Sequence, residues 1–584
     1  MKKGVTIAQA QAELETLHNN LIARYPDQDG GSSIRIVPLS DRVVVQYSQM
    51  IWLLGAAAGC LLLISCANVA NLLYARAVER QEEMSIRSAL GGTRTRLLVQ
   101  SLLETAFLSL LGAAAGIAIA FLGVGIIKQL APPDLYRLDE IGIDWRALLF
   151  VSGATIFVSL VSGLLPAWRL SKTDVPSMLK AEGGRTNTVG RDRQRTQAFL
   201  VIAQVAVACV LLVGTGLLTR SFLAAQSVPL GFNPHGVLTA QLMLTSAKYT
   251  FDPAKTRTFW DDVLTKVRQL PEVETAALDS DPPLKNGFDI MVPFTVVGQA
   301  DPGPDRRPVL VWQMVSSDFF RTLQIPLLQG RDFGTQDRID TEKVLIVDKA
   351  LTDKYWPGQN PIGKAIKSPG GDTYTIIGVA PYVQYLRPGD LDSGLLTYFP
   401  CNQHDRDDAV LLVRAKGDPM AIVPELRKIV GSIDPDVALG RVCMYDEMIA
   451  DKFVTRRLSV LMVSVFSGAA LFLSAIGLYG ILVYSVNQRT REIGIRIALG
   501  ATSGNILRLI TQRGLVMVGL GLIIGIFTAL GCSRFIENTL YQVSGNDPVT
   551  LGLAVVALCI TGAIACLLPA RRAARIDPIA ALRQ

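Results

Sequence analysis

The chain has 584 residues, 50% of them hydrophobic and 18% charged, with a net charge of +7 and a mean hydropathy of +0.34. A soluble domain carries roughly 25% charge, so the composition excludes a wholly water-soluble protein. It also speaks against nucleic-acid binding, because the Arg and Lys residues gather beside apolar runs, where membrane topology accounts for them.

In chain order, residues 1–49 contain one helix-like stretch, 7–24, followed by Pro26-Asp27. Apolar runs follow at about 50–73, 101–127 and 147–168, and a fourth at 198–222. Each approaches or exceeds the ~20 residues that span a hydrocarbon core of about 30 Å. Residues 226–455 change character, becoming charged and Pro-bearing. Within them 236–245, 308–316, 343–348 and 373–379 read as strands, while 253–269 and 418–431 have helical spacing. An α+β domain, arranged as two subdomains, is expected, with Trp260, Trp312 and Trp356 in its core. Three more apolar runs, 458–485, 506–531 and 549–569, bring the expected spans to about seven.

Basic residues follow alternate spans. They are Arg76, Arg80, Arg87, Arg94 and Arg96 after the first, Arg169 to Arg195 after the third, Arg489, Arg491, Arg496 and Arg508 after the fifth, and Arg571, Arg572, Arg575 and Arg583 after the last. Cytoplasmic loops are the basic ones, so the C-terminus is expected inside, and the N-terminus and residues 226–455 outside. Arg220, Arg456 and Arg457 are exceptions. Cys401 and Cys443 fall in the outer domain, where a disulfide between them is chemically allowed.

The chain repeats itself. Arg80 to Gly92 and Arg489 to Ala501 share seven of thirteen residues at an offset of 409, and Leu164-Leu-Pro-Ala167 recurs as Leu567-Leu-Pro-Ala570. Pro26-Asp27 maps at the same offset onto Pro435-Asp436. Residues 1–49 are therefore expected to be the remnant of a first outer domain. The expected layout continues with a three-span block at 50–170, a cytoplasmic linker at 171–197 and a fourth span with stalk at 198–225. The outer domain follows at 226–455 and a second three-span block at 456–584.

Each repeated elbow reads as a short amphipathic helix. Glu83 precedes Arg87 by four residues and Glu492 precedes Arg496 by four, the favourable order for a helical ion pair. Ile86 and Leu90, and likewise Ile495 and Leu499, add apolar surface; Gly91 and Gly500 stand where a glycine ends a helix. Such a helix either lies on lipid headgroups or docks a cytoplasmic partner.

Glu492-Ile-Gly-Ile-Arg-Ile-Ala-Leu-Gly-Ala501 resembles the signature of the MacB/FtsX-type ABC transporter permease family, and Tyr355-Trp-Pro-Gly-Gln-Asn-Pro-Ile-Gly-Lys364 is similar to a stretch of that family's periplasmic core domain. The duplicated layout resembles the family's large fused permeases, with a shortened front. The resemblance implies that Glu83, Ile86, Arg87, Leu90, Gly91 and Glu492, Ile495, Arg496, Leu499, Gly500 form coupling helices that meet a cytoplasmic ABC ATPase. ATP and Mg²⁺ would be bound by that partner and no cofactor by this chain.

Two other motifs are weak. Gly358 to Ala365 nearly spells a P-loop, but Ala365 cannot supply the hydroxyl that holds Mg²⁺. Cys401 and His404 near Asp405, Asp407 and Asp408 lack convincing metal-site spacing and read as a polar loop. With three scattered His residues and no nucleophile motif, no catalytic site is read. Within the spans, Asn68, Asn71 and Gln204 can bond between helices, and Glu104 and Arg513, related by the repeat offset, are a candidate intramembrane pair.

The expectation is an α-helical inner-membrane protein with an extracytoplasmic α+β domain. It would act as a permease subunit that transmits ATPase motion to a periplasmic substrate or protein. The rival expectation is an ATPase-independent signalling or scaffold protein. Single-copy members of that family pair two permeases, whereas a duplicated chain can supply both halves itself, so a monomer is one expected arrangement.

Overall fold

The computed structural model describes residues 4–24, 34–79, 94–130, 141–171, 187–285, 291–303, 306–368, 370–385, 395–404, 406–488, 490–499, 501–537 and 540–573. It divides into an α+β unit, Met1–Val44 with Ser227–Phe453, and a helical unit, Val45–Gln226 with Val454–Gln584.

Helix α1 is Ile7–Arg24, in the first unit. The long helices are α2 (Leu39–Glu79), α3 (Arg94–Leu130), α4 (Trp145–Ser171), α5 (Asn187–Gln226), α11 (Tyr445–Gln488), α13 (Ser503–Ile536) and α14 (Pro548–Ala573). Among the described residues, six of them carry stretches long and apolar enough to cross a bilayer. The remaining predicted span falls on α4, whose described apolar stretch is Trp145–Phe157. Exposed Phe107, Leu110, Ile119 and Leu122 on α3 would be costly in water and suit lipid.

The helical unit is held by close backbone approach and by polar clasps. Gly521 and Gly525 of α13 face α5, where a Cβ on Gly525 would lie 2.6 Å from the Cys209 Cβ and 3.0 Å from the Ala206 carbonyl oxygen. Thr215 and Ser467 hydroxyls meet at 2.6 Å, and the Ser467 hydroxyl donates to the Leu211 carbonyl at 2.9 Å. Such interhelical bonds contribute about 0.6–2 kcal/mol each in a membrane.

Arg220, an exception to the basic-loop pattern, has an acid partner, Asp547. Asp547 also caps α14, accepting from the Thr550 N–H at 2.8 Å and the Thr550 hydroxyl at 2.6 Å. The Arg220 guanidinium first, then Thr550, lowers the Asp547 carboxyl to about 2. A depressed carboxyl stabilises the fold above its ordinary range and loses that contribution as pH falls from near 4 through about 2. Asp547→Ala should cost about 1 kcal/mol, the usual worth of an N-cap, read as a lower Tm in detergent at pH 7; Asp547→Ser should recover the capping part.

Among the described residues the α+β unit is built on twelve strands hydrogen-bonded along the path β12-β1-β11-β2-β5-β10-β7-β9-β8-β4, where β8 is Ala365–Lys367 and β4 Thr295–Val296, with β3 (Met291–Pro293) on β5 and β6 (Gln329–Gly330) on β9. One lobe contains β1 (Val237–Met243), β2 (Val273–Asp279), β11 (Asp408–Ala415) and β12 (Leu439–Met444), all antiparallel. The other contains β5 (Val309–Val315), β7 (Val344–Asp348), β9 (Thr373–Ala380) and β10 (Leu395–Pro400), where β10 runs parallel to β5 and β7 parallel to β9. The lobes meet where β2 pairs with β5 at Asp279 and Val315, with the Ser280 N–H donating to the Met314 carbonyl and the Ser316 N–H to the Leu278 carbonyl, each at 2.9 Å. The expected pair of subdomains thus takes the form of two lobes of one sheet.

Both faces of the first lobe are covered. Along β11, Ala409, Leu411 and Val413 enter one core with α7 (Pro253–Arg268) and α10 (Val423–Ile433), while Val410 and Leu412 enter the opposite one. α7 starts where Asp252 accepts from the Lys255 N–H at 3.3 Å, with Pro253 at the first helical position. Trp260 and Trp356 are buried, and Trp312 stacks on Phe399 at 3.8 Å between centroids. Cys401 and Cys443 are free thiols.

Candidate functional site

The second elbow is a helix, α12, Thr490–Ala498. Its ends follow from its sequence: the Ala501 N–H donates to the Arg496 carbonyl at 2.9 Å, the six-to-one bond of a Schellman ending. Gly500 itself lies outside the described residues.

The helix has two unequal faces. Ile493 is only 3% exposed and joins the buried core of the helical unit, with Ile497 packed against that core. Glu492, Ile495, Arg496 and Leu499 share the other face, at helical offsets of three, four and seven. Arg496 Nη2 meets Glu492 Oε1 at 2.6 Å, with both side chains about half-exposed. Leu499 is 82% exposed. The result is a rigidly rooted surface with an ion pair flanked by two aliphatic side chains. Sequence reasoning missed Ile493 as the root; its place on the face opposite Ile495 and Leu499 was the available signal.

In the first elbow, Glu83, Ile86, Arg87, Leu90 and Gly91 lie outside the described residues. The Glu104 side chain does too, so the candidate pairing with Arg513 has no described geometry; Arg513 is exposed on α13. Of the polar span residues, Asn68 bonds between helices, its amide donating to the Leu473 carbonyl at 2.8 Å. Asn71 and Gln204 side chains make no such bond among the described residues.

The two weak motifs fold as ordinary structure. Gly358 and Gly363 adopt left-handed φ of 71° and 80°, and the segment runs into strand β8 (Ala365–Lys367); a P-loop instead opens a helix. The His404 ring packs against Trp312, Tyr374 and Phe399 with centroids 5.4 to 5.9 Å away.

The FtsX-like permease C-terminal profile matches twice, at residues 55–175 and 464–578. The MacB-like periplasmic core domain profile matches residues 198–428. Together they span most of the chain. It belongs to the MacB/FtsX-type ABC transporter permease family. The two permease matches begin 409 residues apart, the offset carried by the elbows, so this MacB/FtsX-type permease contains a duplicated permease block.

Among curated proteins, it is 28% identical over 281 residues to the macrolide export ATP-binding/permease protein MacB of Chromobacterium violaceum, covering 46% of this chain and 42% of that one. It is 26% identical over 276 residues to the ABC transporter permease YknZ of Bacillus subtilis, covering 46% of this chain and 68% of that one. The chain therefore spans well under half the length of the MacB relative. The solved periplasmic region of MacB from Actinobacillus actinomycetemcomitans aligns over 37% of this chain and 92% of its own, with a TM-score of 0.26 and 13% identity.

Proposed function

We propose that this permease couples ATP hydrolysis by a separate cytoplasmic ABC ATPase to movement of its periplasmic core domain, for export or for work on a periplasmic protein. The observation that carries the reading is the exposed face of α12, Glu492, Ile495, Arg496 and Leu499, on a helix rooted by buried Ile493. A partner that moves this face moves the helical unit, because the root is packed and not tethered. The basic segments favour a cytoplasmic position for this face, with residues 226–455 and the N-terminus on the other side. ATP and Mg²⁺ belong to the partner. The unbroken helix α11 has 44 residues, roughly 66 Å at 1.5 Å per residue, which exceeds a bilayer core and suits a stalk that relays motion outward.

The test is affinity purification of the intact permease from gentle detergent. An ABC-type ATPase should accompany the native chain, and Arg496→Glu or Leu499→Asp should cut its recovery at least about tenfold, a coupling loss near 1.4 kcal/mol. Neither change touches Ile493, so the variants should keep the native Tm. Absence of any ATPase from the native preparation would instead favour an ATPase-independent scaffold.

A further inference from the structure

Three spans, α2, α5 and α11, meet around a cavity of about 30 Å³ lined by Asn68, Asn71, Gln197, Gly477 and Tyr484 among others. Four amide side chains there are buried, Asn68 at 6%, Asn71 at 7%, Gln197 at 5% and Gln204 at 2% exposure, Gln204 reaching the same point beside Gly477. The Asn68 Oδ1, both amide atoms of Asn71 and both of Gln204 make no hydrogen bond among the described residues. Unpartnered amides in a dry interior cost roughly 1–3 kcal/mol each on mutational scales, so the fold would shed them unless something fills the space.

The geometry is arranged to keep that space. The Asn68 amide is turned by its bond to the Leu473 carbonyl at 2.8 Å, which directs Oδ1 toward Gly477. A Cβ on Gly477 would lie 2.4 Å from Asn68 Oδ1 and 2.4 Å from Gln204 Oε1. Glycine is therefore required for the two oxygens to converge there.

The unpartnered set decides the occupant. It holds three acceptors, Asn68 Oδ1, Asn71 Oδ1 and Gln204 Oε1, and two amino groups, Asn71 Nδ2 and Gln204 Nε2. A cation would satisfy the oxygens and strand the amino groups; an anion would do the reverse. Water donates and accepts, and a cavity of about 30 Å³ has room for one or two molecules, each needing ~10–15 Å³. We propose that this cavity is a built-in hydration site, in which water bridges the amides of Asn68, Asn71 and Gln204 across three spans. Water bridges re-form when helices shift by fractions of an ångström, while direct amide pairs would lock one register. On α11 the site runs from Gly477, about three and a half turns before α12 begins at Thr490, to Tyr484, less than two turns before it, where such slip would serve a moving elbow. The inference does not depend on the identity of the partner at that elbow.

X-ray radiolytic hydroxyl labelling of the intact permease tests it, because radicals born from bound water mark the side chains beside it. In the native protein, after correction for each side chain's intrinsic reactivity with hydroxyl radical, Tyr484 and Ile481 should label at least about fivefold faster than the dry-core residues Leu478 and Leu522, as expected beside buried water. Gly477→Ala and the double change Asn71→Leu, Gln204→Leu should remove that excess. Native labelling at the dry-core rate would overturn the proposal without reference to any variant. So would a fall in Tm when sodium and potassium are replaced by N-methylglucamine, which would assign the cavity to a cation.

Discussion

Gly525→Leu should leave almost no monodisperse permease in a detergent extract. The α5–α13 seam brings the two backbones together: beside the 2.6 Å approach to the Cys209 Cβ, a Gly525 Cβ would lie 3.1 Å from the Ala206 Cα. Gly521, one turn earlier, is as tight, 2.7 Å from the Val205 Cβ and 2.9 Å from the Ile202 carbonyl oxygen. The obstructing atoms belong to backbone or to short side chains on a packed helix, so neither side can give way by rotating a side chain. Small residues four apart are what permit such contact in a membrane, where helices have no hydrophobic drive to associate. Overpacking should cost about 3 kcal/mol, the upper end of the usual range, and the seam links the fourth span to the second permease block. Gly531→Leu is the control, since a Cβ there meets nothing within 4 Å. Size-exclusion profiles and thermal midpoints should separate the two variants. Equal midpoints would show that the seam opens freely and that its closeness does not hold the fold.

Legibility in the sequence varied with the physics of each element. The spans were readable because hydrocarbon thickness imposes a length that no soluble helix needs. Strands such as β5, expected at 308–316 and found at Val309–Val315, and β9, expected at 373–379 and found at Thr373–Ala380, carried recognisable strand patterning. β11 did not announce itself: both its faces are buried, so Ala409-Val-Leu-Leu-Val413 reads as one apolar run without alternation. The same ambiguity hid the root of α12. In a nine-residue helix with aliphatic side chains on both faces, composition alone cannot tell Ile493, turned inward, from Ile495, turned outward. The ion pair of Glu492 with Arg496 was legible, because its spacing needs only the helix itself. The Gly521 and Gly525 seam was available as a small-residue spacing, but Gly519 nearby offers a competing frame, and only packing shows that a Cβ on Gly519 would meet nothing within 4 Å.

At the joint between the two lobes of the periplasmic core domain, Asp279→Asn should stabilise the domain, and increasingly so as pH rises. Asp279 is fully buried where β2 pairs with β5. Its Oδ1 accepts from the Asp281 N–H at 3.1 Å and from the Gln313 side-chain amide, while Oδ2 accepts nothing among the described residues. Burial, aided by the neighbouring Asp281 carboxylate, raises the carboxyl well above its ordinary range; the Asp281 N–H, Gln313 and the Lys285 ammonium act in the opposite sense and do not prevail. The folded protein thus holds a proton that the unfolded chain releases near pH 4. For such a raised acid the stability contribution is complete below the unfolded value and is lost as pH rises toward the folded one. Asparagine keeps an acceptor for both donors and carries no proton to lose. Hydrogen exchange on the intact permease should show peptides covering Val309–Val315 and Leu395–Pro400 gaining at least about tenfold protection at pH 8, or 1.4 kcal/mol, with little gain at pH 4. A gain of equal size at both pH values would mean that the carboxylate is ionised in the fold. A loss at pH 8 would mean that its charge is needed to hold the lobes together.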